Sequence, residues 1–107
     1  MKEITVSELK AKMDADENIQ LIDVRMPDEW AVAKIEGAEL IPLPQIIRRM
    51  DELDPSREII VHCKMGGRSA RAIEALQRAG FEGDMANLVG GITAWSREID
   101  PSVPIYH

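Results

Sequence analysis

Short apolar runs alternate with helical patterns along the chain. Five of these runs predict β-strands: Glu3–Val6, Ile19–Val24, Ala38–Ile41, Glu58–His62 and Asp84–Leu88. The fourth run contains the unbroken stretch Ile59–Val61, which is typical of a central strand buried on both faces. Strands that alternate with helices are typical of a parallel sheet covered by helices on both faces. We therefore predict one α/β domain over residues 1–107, with three layers around a central, mostly parallel five-stranded sheet.

Three helical patterns lie in the first half of the chain. Ser7 is the candidate cap of the first helix, and Pro27 suits the first turn of a short second helix that ends near Ala33. We predict a third helix after Pro44 because four apolar residues fall on one helical stripe there: Ile46, Ile47, Met50 and Leu53.

Two further helices are predicted in the second half. Residues 69–79 carry an apolar stripe, and Gly80 after them fits the left-handed C-terminal stop of a helix. The pair Gly90–Gly91 then turns the chain into the last helix. Trp30 and Trp95 both fall on apolar helix faces, so we interpret them as packing residues.

Composition and charge narrow the functional classes. The chain has 107 residues, of which 45% are apolar and 30% charged, as in ordinary soluble globular proteins. Its net charge of −6 argues against a general nucleic-acid binder, and no stretch approaches the roughly 20 apolar residues that cross a membrane. The amino end has no apolar segment followed by a small-residue cleavage site. We therefore expect a cytoplasmic protein without nucleic-acid or membrane partners.

Cys63 is the only cysteine of the chain. A single cysteine cannot form an intramolecular disulfide, and one cysteine with two histidines is too few ligands for a structural zinc site. We therefore expect neither a metal nor a cofactor. Cys63 directly follows the fourth predicted strand, at the edge where ligands gather in open α/β sheets. This position favours chemistry over cross-linking.

The residues after Cys63 predict an anion-binding turn. Gly66 and Gly67 let the backbone curl so that successive N–H groups point inward, and the following helix adds the positive end of its dipole. Such surroundings lower a thiol pKa from about 8.5 to about 3.5–7.5, which makes a cysteine a nucleophile at neutral pH.

Positive charge is concentrated around the same turn. Residues 62–71 carry a charge of +3, from Lys64, Arg68 and Arg71, whereas the rest of the chain carries −9. Arginines in the first turn of a helix oppose its dipole, so stability alone does not explain them. We expect these cations to attract an anionic substrate, with Arg71 either widening the positive mouth or lying on a solvated helix face.

Four parts of the chain together resemble one known family. They are Leu21–Arg25 with Glu29, Ile35–Ala38 with Ile41–Leu43, Cys63–Ser69, and Gly90–Trp95 with Pro104–Tyr106. In this order they resemble a single rhodanese-type sulfurtransferase domain over nearly the full chain. The resemblance implies a rhodanese-like fold and a cysteine that accepts a sulfane sulfur, becomes a persulfide and passes the sulfur to a second nucleophile.

Carried onto this sequence, the resemblance makes Cys63 the catalytic, persulfide-forming residue. It implies that backbone amides of the turn hold the terminal sulfur, while Lys64 and Arg68 supply positive charge. The implied substrate-binding residues are Lys64, Met65, Gly66, Gly67, Arg68 and Ser69. The implied partners are a small anionic sulfur donor, either thiosulfate or a persulfide, and a thiophilic, nucleophilic acceptor.

The details of the resemblance bear on partners and on one missing residue. Domains with a similar loop are fused behind adenylylating enzymes, so the resemblance implies a sulfur-carrier protein or an adenylylating enzyme as a further partner. The family usually has Gly-His-Ile where this chain has Ala33–Lys34–Ile35. The chain therefore lacks that histidine and carries Lys34 in its place.

Two other functional classes stay open beside sulfur transfer. Protein tyrosine-type and dual-specificity phosphatases separate their cysteine and arginine by five residues, whereas four residues separate Cys63 and Arg68. A tighter ring favours a single sulfur atom over a tetrahedral phosphate. A small cysteine-dependent phosphatase or arsenate reductase is the alternative enzyme, and a non-catalytic rhodanese-like binding module is the third hypothesis.

Several side chains near the turn allow both a structural and a functional interpretation. His62 precedes Cys63 in an extended strand and so points to the opposite side, which favours a structural role. Asp23 and Arg25 either shape the rim of the site or form a buried, satisfied pair. Ser69 either donates to the persulfide or caps the helix.

Overall fold

The computed structural model describes residues 1–107 and contains one sheet. Its strands are β1 (Glu3–Ile4), β2 (Ile19–Asp23), β3 (Glu39–Leu40), β4 (Glu58–His62) and β5 (Asp84–Leu88). All neighbouring strands pair in parallel, in the order β1-β5-β4-β2-β3. The predicted α/β fold with a five-stranded parallel sheet is confirmed, and β4 is its central strand.

Three α-helices and two short 3₁₀ turns connect the strands, and a fourth α-helix follows the last strand. The helices are α1 (Val6–Asp14), α2 (Pro27–Val32), α3 (Gly67–Arg78) and α4 (Gly91–Glu98), and the 3₁₀ turns cover Leu43–Gln45 and Met50–Glu52. None of the helices has both the length and the apolar composition that crossing a membrane requires.

Two apolar clusters cover the two faces of the sheet. One cluster contains Leu9 of α1 and Trp95 of α4, and the other contains Leu76 of α3. Successive residues of a strand point to opposite faces, so Ile60 of β4 joins the first cluster and Val61 joins the second. The central strand is therefore buried on both faces, as predicted.

The first helix begins earlier than the predicted cap at Ser7. The Thr5 hydroxyl accepts a hydrogen bond from the Glu8 amide at 3.1 Å, and the Glu8 carboxylate accepts one from the Thr5 amide at 3.0 Å. This reciprocal pair is a capping box, and a cap of this kind stabilises a helix by about 1 kcal/mol. The cap is therefore Thr5, and the prediction at Ser7 is wrong. The Thr-x-x-Glu spacing in the sequence is the signal that could have identified it.

The predicted helix after Pro44 is also wrong. Arg49, at φ −107° and ψ 18°, leaves the helical region between the two 3₁₀ turns. Side chains three residues apart eclipse each other in a 3₁₀ turn, so Met50 and Leu53 both pack on the core. Ile47, in contrast, is 44% exposed. The apolar spacing was compatible with either conformation, which is why it misled.

Two smaller expectations also change. α3 begins at Gly67, two residues before the predicted start at Ser69. Trp95 is buried in the core as predicted. Trp30 is only partly buried, and the Lys34 ammonium lies 5.2 Å from the centre of its ring, so its assignment as a packing residue is wrong in part.

Candidate active site

Cys63 directly follows β4 at the carboxyl edge of the sheet. The residue is only 2% exposed. A turn over residues 63–66 leads from it into α3, whose positive dipole end therefore lies at the turn. The sulfur is thus almost removed from solvent at the edge of the sheet where parallel α/β folds bind ligands.

Backbone N–H groups face the Cys63 sulfur. The Gly66 amide donates to Sγ at 3.0 Å, and Gly66 reaches this position with a φ of +118°, which side-chain-bearing residues rarely adopt. Burial raises the pKa of the Cys63 thiol. Hydrogen bonds from the Ser69 hydroxyl and from the amides of Ser69, Gly66 and Met65 outweigh burial, so the pKa lies below its ordinary value. The turn therefore favours the thiolate.

The N-terminus of α4 holds the outer side of this turn. The Cys63 carbonyl accepts a hydrogen bond from the Ile92 amide at 2.9 Å, and the Lys64 carbonyl accepts one from the Thr93 amide at 3.2 Å. A Cβ atom at Gly91 would lie 2.5 Å from both carbonyl oxygens, so only glycine fits at the contact. Because the carbonyls are bound to α4, the amides of the turn remain available to the sulfur.

Asn87 of β5 fixes the turn from the side. Its amide nitrogen donates to the Gly66 carbonyl at 3.1 Å, and its oxygen accepts from the Ser69 hydroxyl at 2.5 Å. The Ser69 oxygen also lies 3.4 Å from Cys63 Sγ. The Ser69 hydroxyl has one proton, for which the Asn87 oxygen and the Cys63 sulfur compete. A thiolate is a stronger acceptor than a neutral thiol, so ionisation of Cys63 favours the hydrogen bond to the sulfur. The capping interpretation of Ser69 is wrong, since Gly66 is the residue that precedes the helix.

Arg68 is bound to a carboxylate at the mouth of the turn. Its two terminal nitrogens donate to Glu29 at 2.6 and 2.8 Å. This ion pair lowers the pKa of Glu29 to about 2, despite partial burial of the carboxylate. The Tyr106 hydroxyl and the Met26 amide donate to the same carboxylate at 2.7 and 3.1 Å. Glu29 therefore neutralises much of the charge that we expected Arg68 to present to a substrate.

A cleft of about 460 Å³ opens beside the turn. It is lined by Asp28, Glu29, Val32, Lys64, Arg68, Tyr106 and His107. Two carboxylates in this lining balance its Lys64 and Arg68 charges, and the exposed Arg71 lies outside the lining. The expectation of a strongly positive mouth is therefore wrong in part, because carboxylates from α2 share it. Of the lysine and arginine side chains in this lining, Arg68 forms an ion pair with Glu29 and Lys64 forms none.

The remaining residues of the turn differ in what they offer. The Met65 side chain extends into solvent and is 60% exposed, so only its amide acts on the sulfur. Gly67 is exposed at the start of α3, where the N–H groups of the first turn have no helical acceptor. Main-chain groups therefore supply most of the hydrogen-bond donors to the sulfur.

A buried ion pair supports the site from within the domain. Arg25 and Asp23 are completely buried, with Arg25 Nε and Nη2 donating to Asp23 at 2.9 and 2.6 Å. The interpretation of these residues as a buried, satisfied pair is confirmed. His62 is buried beside them, and burial lowers its pKa, so the ring is neutral. Its Nδ1 lies 3.3 Å from the Cys63 carbonyl, which agrees with a structural role.

Three residues of the site were given no role there from the sequence, although Glu29 and Tyr106 lie in segments that carry the family resemblance. Glu29 and Tyr106 reach the turn from distant parts of the chain, and no local spacing indicates their contact with Arg68. Asn87 carries a usable signal, because a polar residue in an otherwise apolar strand requires a hydrogen-bond partner. No group of three or more His, Cys, Asp or Glu side chains is arranged to hold a metal ion. The arrangement is suited to stabilising negative charge on Sγ, or on an atom bonded to it.

Known proteins share the sequence pattern and the fold of this chain. The rhodanese-like domain family matches residues 5–98. The "Probable adenylyltransferase/sulfurtransferase MoeZ" of Mycobacterium tuberculosis is 40% identical over 105 residues, which cover 96% of this chain and 26% of that protein. A protein of Allochromatium vinosum named "Sulfurtransferase" is 35% identical over 103 residues, which cover 96% of this chain and 95% of that protein. This chain thus spans about a quarter of the first relative and nearly all of the second.

A solved structure extends the comparison to three dimensions. The crystal structure of a rhodanese-like domain protein from Staphylococcus aureus has a TM-score of 0.83 and 34% sequence identity, and the match covers 100% of both chains. The family match, the named relatives and the shared fold all agree with the resemblance read from the loop and its flanking segments. This chain belongs to the rhodanese-like domain family.

Proposed function

We propose that this chain is a sulfurtransferase that carries a sulfane sulfur on Cys63 as a persulfide. The observation that carries the proposal is the almost buried sulfur with the Gly66 amide 3.0 Å away. Donors that are already in position stabilise negative charge without any proton transfer. A thiolate and a persulfide are both anionic, so one set of donors serves both states.

The first half-reaction loads the cysteine. The Cys63 thiolate attacks the outer sulfur of thiosulfate, a new S–S bond forms, and the bond between the two sulfurs of thiosulfate breaks. Sulfite leaves with the electron pair of that bond, so total charge is conserved and no proton moves. The lowered pKa of Cys63 supports this step because the nucleophile is already ionised. No general base is required.

The second half-reaction unloads the cysteine. A thiophilic nucleophile attacks the terminal sulfur of the persulfide, and Cys63 leaves as a thiolate that the Gly66 and Ser69 donors stabilise again. A good leaving group is one with a low pKa, so the same hydrogen bonds that assist loading also assist transfer.

The acceptor in the proposal is a small thiol or cyanide-like nucleophile, or the carboxyl end of a sulfur-carrier protein. The second option draws on the relative named as an adenylyltransferase and sulfurtransferase, in which the matched region is about a quarter of the protein. For this second option the roles reverse: a separate adenylylating enzyme would convert the carboxyl end to an acyl adenylate, the terminal persulfide sulfur would attack its carbonyl, and AMP would leave. A thiol reductant would then break the S–S bond and release the thiocarboxylate and the Cys63 thiolate. A cytoplasmic location, where reductants keep a lone thiol free, is part of the same proposal.

The test compares two activities of one preparation, sulfur transfer and phosphate hydrolysis, with those of Cys63→Ser. With thiosulfate and cyanide we expect thiocyanate formation that is absent in Cys63→Ser. Hydrolysis of an aryl phosphate, inhibited by vanadate, would support a phosphatase instead. We expect none, because both terminal nitrogens of Arg68 are held by Glu29. If no thiocyanate forms with thiosulfate or with a persulfide donor, the proposal fails. If aryl phosphate hydrolysis is absent as well, a binding module becomes the better interpretation.

A further inference from the structure

Tyr106 makes two kinds of contact beside the turn. Its hydroxyl donates to Glu29 at 2.7 Å and accepts from Arg25 Nη1 at 3.0 Å. The Lys64 ammonium lies 4.9 Å from the centre of its ring. Tyr106 belongs to the closing segment that contributes to the family resemblance, but that resemblance gave it no role, and it lies outside the residues 5–98 that match the family model.

The hydroxyl connects two ion pairs. On one side is the Asp23–Arg25 pair, whose side chains are completely buried and joined by three hydrogen bonds. On the other is the Glu29–Arg68 pair at the mouth of the turn, which is partly exposed. Tyr106 binds a member of each pair, so it ties the position of the outer pair to the buried inner one.

The ring serves Lys64 in a different way. Lys64 forms no ion pair, although Asp28 and Glu29 line the same cleft. A carboxylate would hold the ammonium but would also cancel its charge. The face of an aromatic ring attracts a cation without neutralising it. Lys64 is therefore held in place with its charge available to an incoming anion.

We propose that Tyr106 is a positioning residue for anionic substrates of Cys63, and that its ring holds the Lys64 charge at the cleft beside the turn that contains Cys63. The inference rests on the proposed function only in taking thiosulfate as the substrate. The electrostatic effect itself applies to any small anion that approaches Cys63, so it can be measured without sulfur transfer.

Two alkylating reagents of similar size isolate this effect. Iodoacetate is an anion and iodoacetamide is neutral, and both react with the Cys63 thiolate. We expect Tyr106→Leu to lower the iodoacetate-to-iodoacetamide rate ratio about three- to ten-fold, the size expected when one steering charge is misplaced. Tyr106→Phe keeps the ring and is expected to stay within about twofold of the original ratio. An unchanged ratio in Tyr106→Leu overturns the proposal, and an equal loss in Tyr106→Phe overturns the assignment to the ring.

A replacement of nearly the same shape tests the ring even if Tyr106→Leu fails to fold. Tyr106→pentafluorophenylalanine preserves the shape of the ring but removes the negative potential of its face, so the rate ratio should fall as in Tyr106→Leu. A ratio equal to that of Tyr106→Phe would overturn the proposal. Ile105→Ala is the matched control, because Ile105 is 42% exposed next to Tyr106 and does not line the cleft. We expect its ratio to be unchanged.

A double-mutant cycle with Lys64→Gln tests the route of the effect. In the Lys64→Gln background, Tyr106→Leu should cause no further fall in the rate ratio, since the charge it positions is gone. An independent, additive fall would overturn the proposal. With thiosulfate, Tyr106→Leu should raise KM about three- to ten-fold and leave kcat within about twofold. If sulfur transfer is absent but the alkylation ratios behave as expected, the proposed function fails while this inference stands.

Discussion

Glu29 and Arg68 lie 39 residues apart in the sequence, yet the Glu29 carboxylate accepts hydrogen bonds from both terminal nitrogens of Arg68, at 2.6 and 2.8 Å. The contact joins α2 to the first turn of α3 directly beside Cys63. It turns Arg68 from a free cation into an oriented donor whose charge is largely balanced. The two cations at the mouth therefore differ: Arg68 ties α2 to α3, and Lys64 carries the charge that is not paired.

The ion pair predicts a pH-dependent contribution to stability. The folded pKa of Glu29 is about 2, against an ordinary value of 4.5, so its stabilising effect is fully present above about pH 5 and is lost as the pH falls towards 2. We expect Glu29→Gln to lower the free energy of unfolding by about 2–3 kcal/mol at neutral pH, after allowance for solvent screening. Urea unfolding at several pH values measures this difference.

The difference between the wild type and Glu29→Gln should shrink by about half by pH 3. Glu82→Gln is the matched control, since Glu82 is exposed and forms no ion pair. A difference for Glu29→Gln that stays constant from neutral pH to pH 3 would show that the pair does not stabilise the fold.

Much of the fold was predictable because local and global preferences agree. The run Ile59–Val61 is apolar on both faces, and β4 is the central strand. Gly66 and Gly67 predict a curled turn, and Gly66 indeed adopts a positive φ with its amide on the sulfur. The helix predicted after Pro44 was wrong because the same apolar spacing suits an α-helix and a pair of 3₁₀ turns.

The charge at the mouth was not predictable in the same way. Counting Lys64, Arg68 and Arg71 in a short stretch of sequence does not reveal that α2 places a carboxylate next to Arg68. The contact of Tyr106 with Lys64 is equally non-local. Long-range pairing of this kind depends on the register of packed elements, which no local pattern encodes. The backbone chemistry of the turn was therefore accessible from the sequence, and its side-chain electrostatics were not.

Lys64 should carry most of the attraction for anionic donors. We expect Lys64→Gln to lower kcat/KM for thiosulfate about three- to ten-fold at low ionic strength and to flatten its dependence on salt. Arg71→Gln removes the same charge from the same segment but outside the cleft, so it serves as the matched control. Equal effects of the two substitutions would mean that the attraction is a property of the whole segment rather than of Lys64.

Arg68→Ala should slow the reaction with anionic donors, because it breaks the contact between α2 and the first turn of α3 and leaves a carboxylate unpaired at the mouth. Arg68→Ala alone would leave the Glu29 carboxylate unpaired, so the comparison uses Arg68→Ala combined with Glu29→Gln, which removes the ion pair without changing the net charge. We expect the salt dependence of this double variant to change less than that of Lys64→Gln. Rates of thiosulfate turnover at several salt concentrations separate the two variants. A loss of salt dependence larger than in Lys64→Gln would assign the steering role to Arg68 instead.

Ser69→Ala should raise the pKa of the Cys63 thiol. The substitution removes the hydroxyl whose hydrogen bond lowers that pKa, while burial of the sulfur continues to raise it. The pH dependence of iodoacetamide alkylation reports the pKa directly. Ser102→Ala removes an exposed hydroxyl far from the turn in sequence and should leave the profile unchanged. A profile for Ser69→Ala that coincides with the wild type would show that main-chain donors suffice.

Gly91→Ala should destabilise the chain and disturb the turn together. Its Cβ would lie 2.5 Å from the carbonyl oxygens of Cys63 and Lys64. Gly37→Ala is a control that shares the positive φ but has open space around its Cβ. We expect Gly91→Ala to cost about 1–3 kcal/mol more than Gly37→Ala in the free energy of unfolding, and to raise the pKa of the Cys63 thiol. Equal costs would mean that backbone strain alone, without the clash, limits this position.

Intact mass spectrometry after brief incubation with thiosulfate tests most directly whether Cys63 carries the transferred sulfur. We predict an increase of one sulfur atom that is reversed by cyanide or by a thiol reductant and is absent in Cys63→Ser. An unchanged mass with both thiosulfate and a persulfide donor, or an added sulfur that persists in Cys63→Ser, would contradict a persulfide on this residue.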